Sequence, residues 1–456
     1  MVHSSLLPTR GKLITTWHRI DSICIIQDDL NDWESESGRM AAVYHNAYLV
    51  LGASCASSSS HSFLNPTMPS APHKAIAEVE NSDGSIAVVY ARDCRPHGNL
   101  VGPRFSRSER IKNRPLATRG WTLQEQLLSR RMVHFEAEEL FWECRTMMEC
   151  ECLELQDADE YKSTLETETS NGKFSLWHAL VKQYHVRHLT VQSDFLPALS
   201  GIVTHIQNCG AGPNLAGLWQ NHLLAELLWH AAPNSVRWQR ASPYRAPTWS
   251  WASIDETRKD RSFNGYRISF WADEMGRPEP CYVSLTASTT PAGSDPHGRL
   301  SGGSLIIKAK VLKIRQTRPT GYRVPHGERN MELSNLSTGD VLHVAPACCV
   351  DVTEDDYTSM ELYAVLLAHF PKWSEDVVLR ENRQWHLLDD HWAGLILRRA
   401  GKEAVGNEDA DVRMQYERVG SWIVRHDERY ARKRAQSVVN PSCFFESISE
   451  IDIVVL

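Results

Sequence analysis

The sequence lacks any apolar run near the roughly 18–20 residues needed to cross a bilayer as a helix. Its first residues, MVHSSLLPTRGKLITTW, contain no long apolar stretch of the kind a secretory leader needs. A cytoplasmic protein without a membrane span is therefore expected. Basic charge is also not in excess. The chain carries 49 Lys and Arg against 56 Asp and Glu, a net charge of −7, which argues against nucleic acid as a partner. The 11 cysteines are odd in number and scattered, which suits free thiols in a reducing compartment better than a disulfide framework. Cys144, Cys150 and Cys152 lie close together, but no second CxxC or HxxxH completes a tetrahedral set, so no metal site is expected. Cys209–Gly212 has no strand before it and is no dinucleotide loop. No internal repeat is present.

What the sequence does have is tryptophan, 15 in all, and large aromatic cores follow from that. At about 150 residues per domain the chain has room for two or three domains. Residues 22–27 (SICIIQ) form a short apolar run that predicts a buried strand ending at Asp28 and Asp29. Asp32 can cap the next helix, and Trp33, Met40, Val43, Tyr44 and Ala47 give that helix one apolar face. YLVLGAS, residues 48–54, predicts a second strand parallel to the first. A helix is predicted from about Thr118 to Ser129, followed by a hairpin over MVHF and LFWEC. The expected organisation is an α/β domain over 12–145, an acidic linker over 146–173, a helical extension over 174–256 and a β-rich domain over 257–456.

Three blocks carry a resemblance. The first is RIDSICIIQDDLNDWESESGRMAAVYHNAYLVLGAS, from Arg19 to Ser54. The second is RGWTLQEQLLSRRMVHFEAEELFWEC, from Arg119 to Cys144. The third comprises LTVQSDFLPALSGI, LAGLW and YRAPTWSWASID. Together they resemble the fungal heterokaryon-incompatibility (HET) domain family, with its Ile-Asp-Ser strand, Trp-x-x-Glu helix start and Arg-x-Trp-x-x-Gln-Glu helix. Two departures stand out. The family's Trp before Ile-Asp-Ser is Arg19 here, and nothing in the first 18 residues matches the usual opening Leu-Ser-Tyr-x-Trp-Gly strand. The chain is therefore expected to be shortened at its N-terminus, with Lys12–Trp17 as a possible substitute strand.

The resemblance implies a TIR-like, flavodoxin-like parallel sheet and a role in fungal non-self recognition and programmed cell death. It also implies partners by self-association or another incompatibility protein. Some TIR domains cleave NAD, so NAD is implied as a substrate rather than a bound cofactor. A chain without the opening strand would be a poor or inactive NAD hydrolase. Glu125 matches the position of the TIR catalytic glutamate, four residues after Trp121, and the two share a helical face. A carboxylate there can steady the charge that develops on a ribose. Its plain alternative is an ion pair with Arg119, Arg130 or Arg131. Asp21, Asp28 and Trp121 are the implied nucleotide contacts; Asp28 can equally shape the turn, and Asp29 is read as starting the next helix. Gly52-Ala-Ser54-Cys-Ala56 matches a nucleophile elbow only superficially, since the sequence assigns Ser54 no His–Asp partners. Glu36 is read as a helix-start charge. Trp249 and Trp251 alternate as strand residues would and are expected to anchor a core.

Overall fold

A computed structural model describes residues 6–9, 12–15, 19–26, 28–62, 74–91, 114–136, 139–151, 156–157, 160–166, 170–231, 238–256, 268–317, 331–335, 341–347, 361–371, 390–400, 414–425, 444–446 and 448–456. The chain divides into two units. The first is Met1–Trp177, Val186–Gly210 and Arg261–Gly265; the second is His178–His185, Ala211–Asp260 and Tyr266–Leu456. Residues 174–256, expected as a separate helical segment, are shared between them.

In the first unit a five-stranded sheet runs in the order Val50–Gly52, Arg131–Phe135, Leu140–Cys144, Met148–Cys150 and Gln156–Asp157. The first pair is parallel and the others antiparallel. The hairpin expected over MVHF and LFWEC is thus present. The last two strands of the sheet, Met148–Cys150 and Gln156–Asp157, come from the stretch expected as an acidic linker. The parallel pair is joined by a crossover containing the helix Trp121–Leu128.

The predicted strand at residues 22–27 is corrected. Asp21–Cys24 is a single helical turn, and Gln27 lies outside the described residues. The backbone amides of Ile23 and Cys24 donate to Ile20 O, and Ile26 N donates to Asp32 Oδ2. These local partners satisfy the backbone without a neighbouring strand. Ile23 and Ile26 stay exposed, at 77 % and 57 %. The run reads as a strand because it is apolar, but no ladder receives it. Val50–Gly52 therefore finds its parallel partner at Arg131–Phe135 instead. Lys12–Thr15 is a strand, paired with Leu6–Thr9 in a separate two-stranded hairpin; Trp17 lies outside the described residues.

The helix Leu30–Asn46 is capped by Asp29, whose side chain accepts from the amides of Asn31 and Asp32. Asp32, the expected cap, accepts from Ile26 N instead. The helix Pro197–Ile206 packs on both this helix and Trp121–Leu128. Gly201 makes that approach possible. A Cβ there would stand 2.5 Å from Ala41 Cβ and 2.7 Å from Gln124 Oε1, and Gly201 N donates to that same Oε1 at 2.7 Å.

The second unit contains a closed barrel within the segment expected to be β-rich. Leu300–Thr317 pairs with Leu362–Phe370, which pairs with His391–Arg399, then Met414–Arg425, then Glu450–Val455, which returns to Leu300–Thr317. The contact between Met414–Tyr416 and Ile453–Val455 is parallel; the other four are antiparallel. Leu312, Leu362, Ile396, Trp422 and Phe445 are buried together in one apolar cluster. Closure removes free edges from these strands. Trp249 and Trp251 are fully buried. They flank the start of a 3-10 turn, Trp251–Ser253, rather than alternating along a strand, because Ser250 Oγ accepts from Ala252 N and bends the chain there. Arg418 is buried in the same unit, 3.8 Å over the Trp229 ring, and donates to the carbonyls of Leu227 and Trp229.

Candidate functional site

A cavity of about 350 Å³ opens in the first unit. Four local structures build it, one of them the 3-10 turn Pro115–Thr118, which brings Leu116 with Arg119 just after it. The helix Leu30–Asn46 contributes Trp33, Ser37, Met40 and Tyr44, which recur at helical spacing and share one face. The helix Trp121–Leu128 contributes Trp121 and Glu125, one turn apart. The turn at Asp21–Cys24 brings Asp21 and Ser22, with Ile20 and Ile25 beside it. Trp33 and Trp121 meet edge to face, with ring centroids 6.2 Å apart at 78°.

Three of the four implied site residues, Asp21, Trp121 and Glu125, thus line one cavity. Asp28 does not. It is exposed in the turn before the Leu30–Asn46 helix, which leaves it the turn-shaping role. Asp29 is the N-cap, so it starts the helix as expected.

Asp21 is fully engaged. Its Oδ1 accepts from Arg19 Nε at 2.8 Å and its Oδ2 from the Tyr44 hydroxyl at 2.6 Å. Arg19 also donates to Glu36 at 2.5 Å. The Arg19 hydrogen bond holds the Glu36 carboxyl below its usual range, so Glu36 is an ion-pair member rather than only a helix-start charge. Burial pushes the Tyr44 phenol up, and the charges of Glu125 and Asp21 push it further; it stays a donor to Asp21 at neutral pH. Sequence reasoning missed Arg19 and Tyr44. The one available signal was a phenol on the apolar face of the Leu30–Asn46 helix, eleven residues after Trp33.

Glu125 is the contrasting group. It is 6 % exposed, lines the cavity, and has no hydrogen bond or ion pair among the described residues. The expected alternative of an ion pair with Arg119, Arg130 or Arg131 is not formed there. Burial, and then the Asp21 charge, push its carboxyl up to about 7, partly offset by the positive charges of Arg119, the chain's N-terminal ammonium and Arg187. A carboxyl with that value near neutral pH has the poise of a general acid or base.

A second polar cluster lies in the same unit. Ser54 Oγ is 3.2 Å from His134 Nδ1, and His134 Nε2 is 2.7 Å from Glu143 Oε2. The serine in the elbow-like segment thus has the His and acid partners that its sequence could not assign. It is still no nucleophile site. Ser54 is 4 % exposed. The amides of Ser54, Cys55 and Ala56 all donate to backbone carbonyls, which leaves none of the three to hold an oxyanion. Glu143 is instead shared with Gln126 and Lys162, as in a buried structural network.

Among the described residues no group of His, Cys, Asp or Glu is placed to hold a metal ion. The described cysteines are in no disulfide, with Cys24 exposed and Cys55 and Cys150 buried. No described helix is long and apolar enough to cross a membrane.

An α/β unit with an aromatic, acid-bearing cavity and a β-barrel unit define the architecture. The family model described as Heterokaryon incompatibility protein (HET) matches residues 3–125, which supports that family for just over a quarter of the chain. The matched segment ends at Glu125 and contains Asp21, Trp33 and Trp121. No curated protein and no solved structure matches the chain.

Proposed function

We propose that this chain acts in fungal non-self recognition, where it triggers death of fused cells, and that the cavity of the first unit takes part. The family match over residues 3–125 supports the first half of this reading. The observation that carries the second is the buried carboxylate of Glu125, which has no hydrogen bond or ion pair among the described residues, in an aromatic cavity. The Trp121–Glu125 spacing is that of NAD-cleaving TIR domains, and the chemistry agrees. Cleaving the N-ribosyl bond of NAD builds positive charge on the ribose. An ionised Glu125 in a low-dielectric cavity stabilises that charge far better than water does. Entry of the positively charged nicotinamide ring would itself favour the ionised form. The cavity is at the small end of ligand pockets, so it suits a ring and its sugar rather than a whole dinucleotide. Asp21, tied to Arg19 and Tyr44, acts on Glu125 through its charge.

The purified 456-residue chain and its Glu125→Gln variant, incubated with NAD, test this reading, alongside expression of both in fungal cells. Death with at most slow NAD loss, as the absence of the opening strand implies, both removed by the substitution, is the expected result. Death without NAD loss would leave the protein a signalling module acting by self-association or through another incompatibility protein. Neither death nor NAD loss would overturn both halves.

A further inference from the structure

We propose that the Trp33–Trp121–Glu125 cavity is a receptor for a single-ring organic cation, selecting charge over shape whether or not any bond is then cleaved. The inference shares its cavity with the reading above but does not need that chemistry.

Glu125 sets the demand on a ligand. A carboxylate 6 % exposed has lost most of its water, and an unpaired buried charge is costly. Its neighbours compensate it only in part: nearby positive charges, Arg119 first, draw the carboxyl down, but burial and the Asp21 charge outweigh them. Arg19 is committed to Asp21 and Glu36, and Arg39 to Glu36. Asp21 and Tyr44 are bonded to each other. Arg119 lines the cavity but is exposed, so water screens much of its charge. Asp21, Tyr44, Arg119 and Arg187 are the charged and titratable groups of the described residues whose fields are coupled to that of Glu125. None supplies a direct cationic partner. A cationic partner has a place to sit, because the cavity walls include two indoles, and aromatic faces attract cations and stack flat rings. About 350 Å³ accommodates one ring with its substituents. An anion would meet two carboxylates there, and a neutral ring would leave Glu125 unpaired.

Cation binding needs the ionised form of Glu125, so affinity should follow its titration. With the carboxyl poised at about 7, the ionised fraction changes about tenfold between about pH 6 and about pH 8, and apparent affinity scales with that fraction.

Benzyltrimethylammonium, whose charge does not titrate, and neutral benzyl alcohol are suitable probes, followed by the tryptophan fluorescence and calorimetry of the full chain. The cation should bind at least about tenfold more tightly than the alcohol at about pH 8 and lose about tenfold by about pH 6. Glu125→Gln should erase both the preference and the pH dependence. Equal affinity for the two probes, or an affinity for the cation that is flat with pH in the unmodified protein, would overturn the proposal, and neither result depends on the variant folding. Cation preference without NAD loss would sink the glycohydrolase reading alone. NAD loss without cation preference would sink this one alone.

Discussion

Lys162→Met should loosen the sheet of the first unit by exposing a charge that the fold now neutralises. Glu143 is 0 % exposed. Its Oε2 accepts from Gln126 Nε2 at 2.8 Å and lies 2.7 Å from His134 Nε2. Lys162 Nζ stands 2.8 Å from its Oε1. Burial alone would raise the Glu143 carboxyl, but the Lys162 charge and the His134 hydrogen bond outweigh it and hold the group well below the usual range. Methionine keeps much of the lysine stem and removes the ammonium. Deleting one partner of a buried pair costs about 3–5 kcal/mol, whereas replacing both charges is often near neutral. Hydrogen exchange of the full chain, read in Arg131–Phe135 and Leu140–Cys144, should therefore speed up by about 100-fold to about 5,000-fold in Lys162→Met. Adding Glu143→Gln should recover most of that protection. The sign with pH follows from the lowered carboxyl. Its contribution is present above about 4.5, the ordinary value, and is lost as pH falls below it. The double variant should lack that acid-sensitive component. A single variant with unchanged exchange, or a double variant no better than the single, would refute the assignment of Glu143 as a charge held by Lys162.

Three further outcomes are expected. Asp29→Ala removes the acceptor for the Asn31 and Asp32 amides and should lower the stability of the Leu30–Asn46 helix by about 1 kcal/mol, seen as faster exchange confined to its first turn. His178 lies between Glu226, 2.9 Å from Nε2, and Asp273, 2.5 Å from Nδ1. Burial opposes its charge, but the two carboxylates win and push it up to about 9. Its contribution should be whole below about 6.5 and drain as pH rises towards about 9, a slope that His178→Phe should abolish in thermal melts. Gly217 sits at φ +88°, where an added Cβ would also stand 2.7 Å from the Trp251 ring. Gly217→Ala should cost about 1–3 kcal/mol, and a neutral result in denaturant titration would contradict the close approach.

Local chemistry was the legible part of this chain. The Trp121–Glu125 face, the hairpin after it, the burial of Trp249 and Trp251 and the helix beginning near Asp29 all follow from spacing of a few residues. The strand expected at 22–27 did not form, because apolar character says that a segment wants cover but not which ladder provides it. Asp21, one of the implied nucleotide contacts, lines the cavity, yet its partners Arg19 and Tyr44 come from two and 23 residues away, and only the fold reveals that both are spent on it. Ser54, His134 and Glu143 make the same point in reverse. Their meeting needs a parallel strand pair joined by a long crossover, which no local pattern encodes.

The barrel of the second unit also imposes a waiting time. Leu305 pairs with Val455, about 150 positions later, so one stave is made long before the other that completes it. At the usual pace of synthesis that interval is on the order of ten seconds, and through it Leu300–Thr317 carries backbone groups with no partner on that side. Such distant pairings close slowly even when the whole chain is present. The opening between synthesis and closure is when this unit is most exposed to wrong pairing, and when a chaperone would matter most to its yield.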